Sequence, residues 1–191
     1  RGAGRLDQHA DCLAAVKEDV VGPLHAGLAA GGVGLNATTG ADATRYFYSL
    51  PSNKLELWMS LESGRFLEPV FREFYEEKEV ILEERRMRVD NSPIGKFIEV
   101  FLEEAFEVHP YRRPVIGYQQ DLYSATRDSV QQFFDAYYGP NNLIGVIVGD
   151  VETDAAQQMA EAYFGRFQSR SLPAEVTRAV VSGRLSSPEP D

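Results

Sequence analysis

The stretch YEEKEVILEERRMR, residues 75–88, gathers five glutamates around Val80, Ile81, Leu82 and Met87. An α-helix turns by about 100° per residue, so positions seven apart nearly superpose. Glu77 and Glu84 therefore share one stripe, with Glu73 on the same side, Val80 and Ile81 between them, and Phe74 and Met87 at its borders. This predicts partly buried carboxylates at Glu77 and Glu84, and solvated ones at Glu76, Glu79 and Glu83. A carboxylate taken out of water needs a cation, a proton or a metal. Two arrangements meet that need. Arg85, Arg86 and Arg88 can neutralise the acids in purely structural ion pairs. Alternatively, one acid ligates a metal while the other orients a ligand from behind. The spacing alone names no metal and leaves both open.

The remaining metal-ligating and nucleophilic groups are few. The histidines are His9, His25 and His109, and Cys12 is the sole cysteine. A single cysteine excludes an internal disulfide, a cysteine zinc cluster and a CxxC redox pair. No histidine stands in H-x-x-E-H or its reverse; "HADCL" after His9 has neither the glutamate nor the second histidine. His9 and His25 read as helix-surface or packing residues, and His109, in "HPY", as a hydrogen-bonding group that fixes a loop.

Several elements must position these groups. Residues 6–30 carry Leu6, Leu13, Val16, Val20, Leu24 and Leu28 near helical spacing, with Pro23 as a kink and "GGVG" as the stop. "LNATTGADATRYFYSLP" reads as a hairpin with strands over 35–39 and 44–50. Ser52 or Asn53 opens a helix bearing Leu55, Trp58, Met59 and Phe66. The acidic helix runs from Val70 to about Asp90, "NSPIG" ends it, and residues 97–106 form another helix. "HPYRRPVIGY" is irregular. Thr126 caps a helix that runs through Tyr138, "LIGVIVGDV" reads as a buried strand, and Thr153 or Asp154 caps a last helix through Phe167. Residues 1–167 are expected to form one partial domain, and 168–191, where Ser and Pro accumulate, a linker to a following domain. Strands early and late with helices between give an α+β class: a mostly antiparallel sheet packed against a layer of helices.

Composition narrows the function classes. The 191 residues are 43% hydrophobic and 25% charged, ordinary for a soluble packed domain. A net charge of −10 argues against a sequence-independent grip on nucleic acid and against an anionic membrane surface. No apolar run approaches the roughly 20 residues of a membrane span, and no targeting signal is visible.

Four blocks in order carry a family likeness. "GGVGLNATTGADATRYFYSLP" resembles a G-G-x-x-N-A-x-T-x-x-D-x-T-x-Y segment. "PVFREFYEEKEVILEERRMRVDNSP" resembles an E-x6-E helix followed by arginine and an N-S-P turn. "AFEVHPYRRPVIGYQQDL" and "FFDAYYGPNNLIGVIVGDV" follow. Together, over about residues 31–167, they resemble the pitrilysin/insulinase family of zinc metallopeptidases, the inverzincins, which includes the mitochondrial processing peptidases. The resemblance implies a processing-peptidase-type domain whose zinc is held by two histidines of an H-x-x-E-H helix and by a distal glutamate. That glutamate falls on Glu84, with Glu77 as its supporting companion. It further implies that an edge strand over Leu35, Asn36, Ala37 and Thr38 pairs with an extended peptide substrate by β-augmentation. A homologous second half, on the same chain or on a partner subunit, would close over a peptide or protein substrate. The histidine ligands and the general base are missing here. With Arg1 rather than Met at the start, the expectation is a piece of the zinc-bearing half of a metalloendopeptidase, inactive alone and not binding zinc tightly. The alternative is a non-catalytic structural subunit of the same fold.

Overall fold

The structure, a computed structural model, describes residues 35–106 and 109–171. The expected helix over 6–30, with His9, Cys12 and His25, and residues 172–191 lie outside the described residues.

The hairpin forms where its turn chemistry places it. β1 (Leu35–Thr39) pairs antiparallel with β2 (Thr44–Tyr48), in a register that sets Asn36 opposite Phe47 and Ala37 opposite Tyr46. Gly40 N–H donates to Ala43 O at 2.9 Å and closes the turn. A single 3₁₀ turn over Ser52–Lys54, without a side-chain cap, leads into α1 (Leu55–Leu67).

The acidic segment is shorter as an α-helix than its pattern suggests. α2 spans Phe74–Arg85, and the chain then widens into a π turn over Arg86–Asp90, closed by Asn91 N–H on Arg86 O at 2.9 Å. α3 (Pro93–Ala105) starts four residues earlier than the periodicity indicates. Ser92 Oγ accepts from Gly95 N–H at 3.1 Å, and Pro93 occupies the first helical position, where its missing N–H costs nothing. The sequence reading missed α4 (Gln119–Ser124), too short to show a period. α5 (Arg127–Tyr137) begins at the expected Thr126, which with Ser129 forms a reciprocal cap. α6 (Thr153–Phe164) completes the order.

One aromatic cluster holds these pieces together. Phe74 and Phe134 are fully buried, Phe66 stacks on Phe134 and Tyr138, and Phe71 meets Phe134 edge-on. Tyr46 joins β2 to this core, with its ring edge-on to Phe66 and its hydroxyl 2.9 Å from that of Tyr138. Residues 168–171, expected as the start of a linker, are tied back here: Arg170 donates to Phe134 O at 3.2 Å.

The sheet is antiparallel, as expected, but small. Among the described residues the sheet has two strands, and helices dominate. The physical reason lies at residues 143–148. Among the described residues no backbone group pairs with residues 144–148, and Ile144, Val146 and Val148 are exposed rather than buried.

Candidate functional site: the acidic helix and the hairpin edge

The two faces of α2 divide according to side-chain chemistry. Phe74, Ile81 and Arg85, at spacings of seven and four, turn to the core and are buried. Val80 and Met87 lie on the opposite side and are 57% and 60% exposed. Glu77 and Glu84 sit at the intermediate level between these sides, and Glu76, Glu79 and Glu83 are exposed, as the stripe predicts. Two apolar residues differ from the reading: Val80, within the stripe, and Met87, at its border, are open instead of buried. The inward positions are filled by Phe74, Ile81 and a guanidinium.

The three arginines take separate tasks. Arg88 Nη1 lies 2.8 Å from Glu84 Oε1, with both side chains well exposed. Arg86 donates to Glu83 at 2.6 and 2.8 Å on the surface and draws its carboxyl below the ordinary range. Arg85 turns inward. Its Nη2 donates to Glu99 at 2.7 Å and its Nη1 to Gly117 O at 2.6 Å. Lys96 reaches Glu99 Oε1 at 2.6 Å. Burial alone would raise the Glu99 carboxyl, but the hydrogen bonds from Lys96 and Arg85 outweigh it and hold the group below its usual value. This pair locks α3 and the Gly117 loop against the turn of α2 that carries Glu84. Gly95 completes the fit. A Cβ there would overlap Arg88 O and stand 2.9 Å from Val89 Cα, so α3 approaches the π turn backbone to backbone.

Zinc needs three or four protein donors converging on one point. Among the described residues no group of three or more His, Cys, Asp and Glu converges in that way. The only described histidine, His109, works as expected for a loop: its Nδ1 accepts Tyr111 N–H at 3.2 Å. The described residues therefore do not make a zinc site, and Glu84 presents one carboxylate toward the open side of α2.

The predicted substrate strand is paired on one side. β1 bonds to β2, and no other strand pairs with it among the described residues. Pairing alternates along an antiparallel ladder. Counted from the bonded Gly40–Ala43 position, Ala37 is a non-bonded position whose N–H points away from β2. Asn36 Oδ1 accepts that N–H at 2.8 Å. Asn36 and Thr38 are exposed, and Ala37 is buried. Asn36 thus caps an outward backbone donor on the edge that no described strand pairs.

Sequence reasoning missed a second buried polar group. Glu62 and Arg65 pair three residues apart on α1, both buried, and Tyr48 OH donates to Glu62 Oε1 at 2.7 Å. The Arg65 guanidinium also lies 4.5 Å from the Tyr46 ring centre and 4.4 Å from that of Phe66. Burial raises the Tyr48 and Tyr138 hydroxyls above their ordinary value. The i, i+3 acid–base pair in "LESGR" was the available signal. Its contacts with Tyr46 and Tyr48 were not, because they come from β2.

Comparison with known proteins gives a family and a fold. The family profile described as Peptidase M16 inactive domain matches residues 124–190. Zinc protease PqqE of Helicobacter pylori is 34% identical over 163 residues, covering 84% of this chain and 35% of that protein. An uncharacterized zinc protease of Mycobacterium leprae is 31% identical over 133 residues, covering 69% of this chain and 30% of that protein. This chain thus spans about a third of the length of these curated relatives. The crystal structure of a protease from Helicobacter pylori superposes with a TM-score of 0.78 at 30% identity, over 85% of this chain and 42% of that one. The ferredoxin protease FusC shares the fold, with a TM-score of 0.74 at 21% identity over 91% of this chain and 21% of that one. On these matches and the four ordered sequence blocks, the chain belongs to the pitrilysin/insulinase, or M16, family of zinc metallopeptidases.

Proposed function

We propose that this chain is part of the zinc-bearing half of a metalloendopeptidase that hydrolyses peptide bonds. The observation that carries the reading is Glu84. It sits at the second acid of E-x6-E, half exposed, next to the face where Val80 and Met87 are left uncovered. A structural acid would be expected in the interior pair, and Glu99 occupies that place instead. In this reading Glu84 supplies one zinc donor and Glu77 supports it from the same stripe. The histidine donors and the general base come from polypeptide outside this chain. Zinc, when bound, supplies the Lewis acidity and the activated water of such enzymes. The free edge of β1, over Leu35, Asn36, Ala37 and Thr38, receives the substrate as an added strand, for which Asn36 must release the Ala37 N–H. A homologous second half closes over the substrate. The chain by itself does not hydrolyse peptides and does not hold zinc tightly.

A second reading has one observation in its favour: the profile matching residues 124–190 is described as an inactive domain. Under it the chain is a non-catalytic subunit of the same fold. Peptidase assays of the longer protein separate the two. Glu84→Gln should abolish chelator-sensitive turnover while Glu76→Gln leaves it intact. Turnover that survives Glu84→Gln defeats the first reading, and a wild-type longer protein with no turnover supports the second.

A further inference from the structure

We infer that Tyr111 is a positioning residue, which fixes the β1 edge relative to the turn of α2 that carries Glu84. The inference rests on the proposed function, in which that edge receives the peptide and Glu84 is a zinc donor.

The hairpin is anchored at one end and tied at the other. Tyr46 and Tyr48 of β2 hold it to the core, through Phe66, Tyr138 and Glu62. Its turn residues, Gly40, Ala41, Asp42 and Ala43, are all exposed, so burial does not steady them. Tyr111 reaches this turn: its hydroxyl donates to Asp42 Oδ1 at 2.6 Å. The bond is charge-assisted, and the carboxylate holds the phenol proton and raises Tyr111 above its ordinary value.

Tyr111 is itself held in place. A 3₁₀ turn over Pro110–Arg112 carries it, and His109 Nδ1 accepts its N–H at 3.2 Å. Its ring stands edge-on to His109 at 4.3 Å and to Phe106 at 5.8 Å. Phe106 ends α3, and α3 is clamped to α2 by Glu99 on Arg85 at 2.7 Å and by the fit of Gly95 against the π turn. One run of contacts thus leads from the hairpin turn through Tyr111, Phe106 and α3 to the end of α2 that bears Glu84. A peptide added to β1 is held by main-chain hydrogen bonds. A shift of the edge therefore keeps the peptide bound and moves its reacting bond, and a misplacement of about 1 Å can cost on the order of a hundredfold in rate.

Steady-state kinetics of the longer protein on a quenched peptide test the inference. Tyr111→Phe keeps the ring and removes the hydroxyl, and should lower kcat by about tenfold with KM nearly unchanged. Asp42→Ala should match it, whereas Asp42→Asn, whose amide oxygen still accepts the phenol proton, should retain most of the rate. The double variant Tyr111→Phe/Asp42→Ala should be no slower than either single one. Tyr123→Phe, at a tyrosine that is 61% exposed, should leave both constants unchanged. A wild-type kcat in Tyr111→Phe overturns the inference while the proposed function stands. So does a rise in KM at constant kcat, or losses that add in the double variant. A wild-type longer protein without turnover defeats the proposed function and this inference with it.

Discussion

Replacing Glu99 by Gln probes the clamp that fixes the turn of α2 bearing Glu84. The two side chains of the Arg85–Glu99 pair are each 5% exposed, 2.7 Å apart. Gln keeps the shape and removes the charge, leaving Arg85 buried with Gly117 O and a longer contact to Asp90 at 3.5 Å. Breaking one side of a buried pair costs about 3–5 kcal/mol. The remaining Arg85 partners place this case near the lower end, about 3 kcal/mol. That is a large share of the roughly 5–15 kcal/mol that holds a domain folded. Lys96, whose side chain is 57% exposed, also holds Glu99, at 2.6 Å, and loses its charged partner in the same substitution. The pH dependence has a definite sign. Because the folded Glu99 carboxyl lies below its ordinary value of 4.5, its contribution is complete above that value and is lost as pH falls through the folded value. The gap between wild type and Glu99→Gln should therefore be full at pH 7 and close as the pH falls below 4.5. Urea melts across that range measure it. Arg85→Met/Glu99→Met, which removes both charges, should be far milder than Glu99→Gln alone. A cost below about 1 kcal/mol for Glu99→Gln at pH 7, that of an ordinary hydrogen bond, would refute the clamp.

Three further outcomes follow from the same geometry. Gly95→Ala, which in an open helix would gain up to about 1 kcal/mol, should destabilise here because its Cβ meets Arg88 O and Val89 Cα; urea melts give the sign. Phe134→Ala, at a fully buried ring, should cost about 3–5 kcal/mol in the same measurement. The purified chain should show no chelator-sensitive cleavage of quenched peptides with added zinc.

Legibility in the sequence followed the range of the forces involved. Local signals located the hairpin strand Leu35–Thr39 to the residue and Thr126 as a cap, because turn and cap chemistry act within four residues. The half-burial of Glu77 and Glu84 was also readable, since it depends on one helix's own periodicity. Arg85 was read only as one of three equivalent partners. What singles it out is Glu99, which packs inward from a different helix while the apolar Ile94, Phe97 and Ile98 of that helix stay exposed. The π turn after Arg85 had no local signal, and the glycine that fits against it, Gly95, lies on the next helix. Residues 143–148 show the converse case, where the sequence specifies a strand and the described residues supply no ladder.

The role of Glu84 is tested most directly by zinc binding to the longer protein, followed by equilibrium titration against a chelator of known affinity. Wild type and Glu76→Gln should bind one zinc tightly, and Glu84→Gln should weaken binding by orders of magnitude. In the present chain the same substitution should change stability by no more than about 1 kcal/mol, the worth of its exposed pair with Arg88. Tight zinc binding retained in Glu84→Gln would contradict the assignment of Glu84 as a zinc ligand.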